Sequence, residues 1–176
     1  MKKILLIIIT IVTSLSIYAE EKDSPIKWYT FEEAVELQKE NPKNIFIDVY
    51  TDWCGWCKKM DASTFSNEEI AKYMNENYYA VKLDAEMKAD VLFKGKTYKN
   101  KGKARRSSHD LAKSLLNGQM SYPSYAFLNK DADLLTVVQG YLEASDFEPI
   151  LHYFGEDHYK KTEWKDFKDA FKGSVK

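Results

Sequence analysis

The chain has 176 residues with 26 basic and 27 acidic side chains, a formal net charge of −1, so it lacks the basic excess that nucleic-acid binding draws on. Hydrophobic residues make up 44% and aromatics 14%, enough for the core of one domain without disulfide support. Cys54 and Cys57 are the only cysteines and form one Cys-x-x-Cys pair.

In chain order, residues 1–19 read as a signal peptide. Lys2 and Lys3 precede an apolar run from Ile4 to Val12, and Ser16-Ile-Tyr-Ala19 suits cleavage after Ala19. The apolar stretch is shorter than the ~20 residues of a spanning helix; the alternative is an uncleaved membrane anchor. Export, to a periplasm or beyond, places the protein where disulfides persist. Residues 20–27 read as a linker, 28–155 as the folded domain and 156–176 as an amphipathic C-terminal helix.

Thr30-Phe-Glu-Glu33 is a capping box that opens a helix ending at Asn41-Pro42. Ile45 to Tyr50 is a β-branched and aromatic run that predicts a buried strand. A helix follows from Cys54. Ser66-Asn-Glu-Glu69 reads as a second capping box, and Tyr78 to Leu83 as the next strand. Ala89 to Phe93 reads as a helical turn. Lys94 to Arg106 then carries seven basic residues and no acidic one, which reads as a solvated loop or as a docking surface for an acidic partner. Ser107 or Ser108 would cap a helix running to Asn117, with Gly118 as its stop. Ser124–Leu128 and Leu134–Val138 form a hairpin, with Gly140 as a bulge. Ser145-Asp-Phe-Glu148 reads as a third capping box, opening a helix that Gly155 closes. Trp164, Phe167, Ala170 and Phe171 stand at helical spacing beside many lysines. They read as a helix docked on the domain or as an interfacial membrane helix. The elements compose an α/β domain: a central mixed sheet, with a parallel pair and an antiparallel hairpin, and helices on both faces.

A Cys-x-x-Cys pair shuttles electrons or supplies half of a zinc site. Zinc needs about four ligands, and the three histidines, His109, His152 and His158, are scattered; no metal or cofactor is expected. Here the pair sits where a strand ends and a helix begins. Unpaired N–H groups and the dipole at a helix start favour a thiolate, the attacking species in disulfide exchange. Cys54, at the very start, reads as the more exposed thiol and the nucleophile, and Cys57, one turn in, as the resolving thiol.

Trp53-Cys54-Gly55-Trp56-Cys57-Lys58, with Asp48 six residues before Cys54, Val81-Lys82-Leu83-Asp84 and Tyr122-Pro123-Ser124, resembles the thioredoxin superfamily. The likeness covers roughly Trp28 to Phe154. Thr64-Phe65 and the long insert before the proline are similar to exported bacterial thioredoxin-like proteins, of the kind found as the C-terminal domain of disulfide reductases. The resemblance implies the thioredoxin fold, with a helical insert before a cis Tyr122-Pro123 bond and an extra C-terminal helix, and it implies thiol–disulfide exchange. Gly55-Trp56 stands where ordinary thioredoxins have Gly-Pro, so the redox poise does not carry over.

Asp48 lies in an apolar run. Buried, its carboxyl would be raised by desolvation and could take the proton of the resolving thiol; otherwise it is a strand-end surface acid. Lys82 would pair with Asp48 or face solvent. Trp53 and Trp56 would form an apolar platform for substrate or pack into the core, the core being the expectation for Trp53. Tyr122 and Pro123 would offer backbone to an extended substrate, beside Gly55. His109 reads as a surface or capping residue, or as a neighbour of the active site. The reading is an exported reductase of protein disulfides, acting as a monomer and supplied with electrons by a membrane donor. A disulfide oxidase or isomerase on the same scaffold and a non-catalytic binding module are the alternatives.

Overall fold

The computed structural model describes residues 25–175. The expected signal peptide, most of the expected linker and Lys176 lie outside the described residues. Seven strands, six α-helices and two 3-10 turns follow in the order β1 (Trp28–Tyr29), α1 (Phe31–Glu40), β2 (Asn44–Tyr50), α2 (Gly55–Ala62), a 3-10 turn (Thr64–Ser66), α3 (Glu68–Asn77), β3 (Tyr78–Asp84), β4 (Val91–Phe93), β5 (Lys96–Tyr98), α4 (Asp110–Leu115), β6 (Ser124–Leu128), β7 (Leu134–Gln139), α5 (Ala144–Gly155), a second 3-10 turn (His158–Lys160) and α6 (Trp164–Ala170).

The main sheet has the order β1-β3-β2-β6-β7. β2 lies parallel to β3, with Asp48 opposite Lys82, and antiparallel to β6, with Asp48 opposite Tyr125. This is the thioredoxin fold, a mixed sheet with helices on both faces. Successive residues of β2 alternate between two cores because side chains alternate across a sheet. Ile45, Ile47 and Val49 pack with Phe31, Ala34, Leu111 and Leu115, from α1 and α4. Phe46 points the other way, among Met60, Ile70, Met74, Phe147 and Leu151, from α2, α3 and α5. Asp48 shares that second face with Phe46.

The Thr30–Glu33 capping box is present in full. Four local expectations are corrected. The cap of α3 is Asn67, not Ser66: its side chain accepts from the N–H groups of Glu69 and Ile70. Ala89 to Phe93 is not helical; Val91–Phe93 pairs with Lys96–Tyr98 as a hairpin, and Lys94 and Gly95 both take positive φ, 47° and 75°, the two-residue turn whose twist matches paired strands. His109, not Ser107 or Ser108, caps α4, which stops at Leu115, before the left-handed Asn117 and Gly118. The Ser145–Glu148 box does not form: Glu143 occupies the cap of α5 without a side-chain bond.

Glu148 is buried instead, and its carboxylate accepts from the N–H and hydroxyl of Ser174, both at 2.7 Å, and from the N–H of Val175 at 3.2 Å. Residues 174 and 175 are thereby tied to α5. The ladder irregularity between β6 and β7 falls at Phe127/Leu128 rather than at Gly140. The amphipathic helix expected over 156–176 is shorter, Trp164–Ala170. It docks through Trp164 and Phe167 against Tyr153 of α5, at ring separations of 5.2 and 5.1 Å.

Candidate active site

β2 ends at Tyr50, and after three intervening residues the chain turns at Cys54 into α2. Cys54 is the residue before the first helical turn: its N–H donates to the Thr51 carbonyl at 3.0 Å, and its sulfur accepts the N–H of Cys57 at 3.0 Å. Cys54 and Cys57 are joined as a disulfide, with Cα atoms 5.3 Å apart. Both are buried, Cys54 at 5% exposure and Cys57 at 3%, so exposure hardly distinguishes them. The N–H aimed at the Cys54 sulfur does: it favours charge on that atom when the bond is opened.

Asp48 is 1% exposed. Its Oδ2 lies 3.1 Å from Lys82 Nζ, while its Oδ1 has no hydrogen-bond partner among the described residues. Burial drives its pKa up from 3.8 to about 6, against the opposing pull of the Lys82 ammonium. Lys82 also reaches Asp61 of α2, at 2.5 Å. Burial works to lower the Lys82 pKa, but the carboxylates of Asp48 and Asp61 outweigh it and raise it. Asp61 stands four residues after Cys57, one helical turn along the same face. Lys82 therefore links the sheet carboxyl to the helix that carries both cysteines.

The two tryptophans stand on the surface, Trp53 at 48% exposure and Trp56 at 58%. The core placement expected for Trp53 is thus corrected. It stands in the loop before α2, where no second layer covers it. Its indole N–H donates to Glu86 at 3.0 Å, its ring meets Tyr122 edge-on at 5.9 Å, and the Arg106 guanidinium lies 4.9 Å from its centroid. Trp56 leans on Tyr141 at 5.5 Å, and Lys59 Nζ sits 5.1 Å from the Trp56 ring and 4.4 Å from the Tyr141 ring. The Tyr122-Pro123 bond is cis. A Cβ added at Gly55 would meet nothing within 4 Å, so no steric demand requires glycine there.

His109 is fully buried. Its Nδ1 accepts the Leu111 N–H at 3.1 Å, which leaves Nε2 as the donor to the Ala89 carbonyl at 3.0 Å. It is a capping residue. Glu86, Arg106 and Tyr141 were not singled out from the sequence; each reaches the tryptophans across a long separation that local periodicity does not report. Nor was Tyr125, which is buried opposite Asp48 on β6; burial first, and the Asp48 charge next, raise its phenol pKa.

A profile of the family Thioredox_DsbH (Protein of unknown function, DUF255) matches residues 10–147. The chain belongs to that family. Among curated relatives, the uncharacterized protein B0495.5 of Caenorhabditis elegans is 40% identical over 73 residues, 41% of this chain and 10% of that protein. Spermatogenesis-associated protein 20 of Mus musculus is 39% identical over 69 residues, 39% of this chain and 9% of that protein. The match thus spans about a tenth of the length of these relatives. Among solved structures, one described as DsbH Oxidoreductase superposes with a TM-score of 0.56 at 17% identity, covering 81% of this chain and 92% of that one, a likeness of fold. In this Thioredox_DsbH member, a thioredoxin fold with a close Cys54–Cys57 pair supports thiol–disulfide redox chemistry at the general level.

Proposed function

We propose that the protein is an exported thiol:disulfide oxidoreductase that reduces protein disulfides. The observation that carries this reading is the cysteine pair at the mouth of α2, with the Cys57 N–H directed at the Cys54 sulfur. In the dithiol form, the Cys54 thiolate attacks one sulfur of a substrate disulfide. The substrate's other sulfur leaves as a thiolate, and a mixed disulfide remains on Cys54. Cys57 then attacks the Cys54 sulfur, releases the reduced substrate and closes the Cys54–Cys57 bond. Asp48, whose pKa burial raises to about 6, takes the Cys57 proton. Trp53, Trp56, Tyr122 and Pro123 form the rim against which an extended substrate lies.

The direction of electron flow is read from charge. No histidine stands between the cysteines, and Asp52 places a negative charge two residues before Cys54, opposed by Lys58 and Lys59 further along the helix. A modestly stabilised thiolate gives a reducing potential nearer thioredoxin's than that of the strong exported oxidases. Outside the cytosol such a reductase, working as a monomer, draws its electrons from a membrane donor.

Reduction of insulin with dithiothreitol, compared with Cys54→Ser, tests the activity. Equilibration with glutathione tests the direction: a potential above about −150 mV sinks the reductase reading and leaves an oxidase.

A further inference from the structure

Beside Trp53 lies a cavity of about 360 Å³, lined by Asp52, Trp53, Asp84, Glu86, Arg105 and Arg106. Its charges are segregated by origin. The three carboxylates come from the loop before Cys54 and from the end of β3 with the turn after it; the two guanidiniums come from the basic insert before α4. Among the described residues, no carboxylate lies within 4.0 Å of either arginine, and no cationic group lies that close to Asp52, Asp84 or Glu86. Other cations of the insert are matched within the fold, Lys94 with Asp133 and Lys99 with Asp90. The carboxylates are crowded: burial first, then the charges of Asp52 and Glu86, raise the Asp84 pKa, against the bond it accepts from the Glu86 N–H and the more distant charge of Lys88. Arg106 lies over the face of Trp53, the residue before Cys54.

An acidic ligand entering this cavity meets three carboxylates, and a basic one meets two arginines. A ligand with both charges a few ångströms apart satisfies both sets, because complementary potentials select partners by rejecting the wrong sign as well as by attracting the right one. We propose that the cavity binds the amino-acid end of a small zwitterionic disulfide, of which cystine is the simplest. The ammonium faces Asp52, Asp84 and Glu86, the carboxylate faces Arg105 and Arg106, and the sulfur is presented to Cys54. The step rests on the reductase reading above. The Cys54 thiolate forms a bond to one cystine sulfur as the cystine S–S bond breaks, and one cysteine leaves. Cys57 then displaces the second cysteine. Two electrons pass from the protein dithiol to cystine, giving the Cys54–Cys57 disulfide and two cysteines.

The kinetic test uses pre-reduced protein in single turnovers with cystine, cystamine, dithiodiglycolate and hydroxyethyl disulfide, each rate divided by that of dithiothreitol with the same compound. We expect the corrected cystine rate to exceed the other three by about tenfold, the scale that two solvent-exposed charge contacts supply. In Arg105→Ser/Arg106→Ser the cystine-to-cystamine ratio should fall to about one. Equal corrected rates for the four compounds, or an equal advantage for cystamine or for dithiodiglycolate, whose charges are of one sign, overturns the proposal. A binding arm is independent of catalysis: redox-inert S-methylcysteine is added to the disulfide form and the Trp53 indole resonance is followed, with 2-(methylthio)ethylamine and methylthioacetate as controls. A shift specific to S-methylcysteine in a protein that reduces none of the disulfides keeps the binding site and removes the reductase reading. Reduction of all four at equal corrected rates with no Trp53 shift does the reverse.

Discussion

The ammonium of Lys82 lies 3.1 Å from Asp48 Oδ2 at one point of the β2–β3 ladder, where the two residues are direct parallel partners. It binds only one side of a buried carboxyl, and the other oxygen is left without a partner among the described residues. The desolvation cost therefore outweighs the ion pair, and the Asp48 pKa stands at about 6 rather than below 3.8.

That sign has a consequence for stability. A carboxyl whose pKa is higher in the folded than in the unfolded chain holds more protons when folded, so stability falls as pH rises from about 4 to about 6 and the penalty is complete above that. Asp48→Asn removes the penalty. We expect the variant to be more stable at pH 7 by about 1–3 kcal/mol, since each pH unit separating the folded and unfolded pKa corresponds to about 1.36 kcal/mol, and to lose that advantage below about pH 4. Turnover should fall in the same variant. Urea melts at pH 4 and pH 7, with insulin reduction alongside, check both halves; a variant less stable at pH 7 contradicts the first.

Lys82→Met takes away the charge that holds the Asp48 pKa down. Its carboxyl should then titrate at higher pH, and the acid limb of the pH–rate profile should move upward with it. A drop of about tenfold at pH 7, within the range of general-base effects, should be recovered in part by raising the pH. An acid limb that stays in place would remove Asp48 from the proton path.

Cys57→Ser should accumulate a mixed disulfide on Cys54, since nothing remains to resolve it, whereas Cys54→Ser should accumulate none. Intact-mass spectrometry after exposure to a disulfide-bonded protein reads this directly. Trapping on Cys57 would reverse the assignment.

Glu148→Ala leaves the Ser174 and Val175 donors without their acceptor. A loss of about 1–3 kcal/mol is expected, the usual cost of such orphaned groups, with faster amide exchange at residues 174 and 175. Gly173→Ala should act in the same direction, because its Cβ would fall 2.2 Å from Glu148 Oε2, a carboxylate too tightly held to move aside. Unchanged exchange at 174 and 175 in Glu148→Ala would show that the carboxylate does not hold the tail.

The strand before the cysteines and the helix that carries them were legible because one local pattern carries each: a β-branched run, and a Gly- and Pro-free stretch from Cys57 to Ala62. Their juxtaposition with Lys82 follows from the parallel register. Legibility ended where distant groups competed for a local one. Glu148 matched a capping box but is claimed by residues 174 and 175, and Ser145 loses its partner. Lys94-Gly95 was a visible turn signal, hidden by the run of positive charge around it. Trp53 reads as a core residue from its hydrophobicity, but it follows the end of the central strand, where Tyr122 and Arg106 cover its ring only in part.

The clasp between Glu148 and the chain's last described residues also orders events in time. During synthesis the carboxylate is made 26 residues ahead of its Ser174 partner, and a domain folds as a unit. Until that partner arrives, the inward side of α5 carries a negative charge with nothing to answer it. The nascent protein can thus seat α5 for good only once residues 174 and 175 have been delivered.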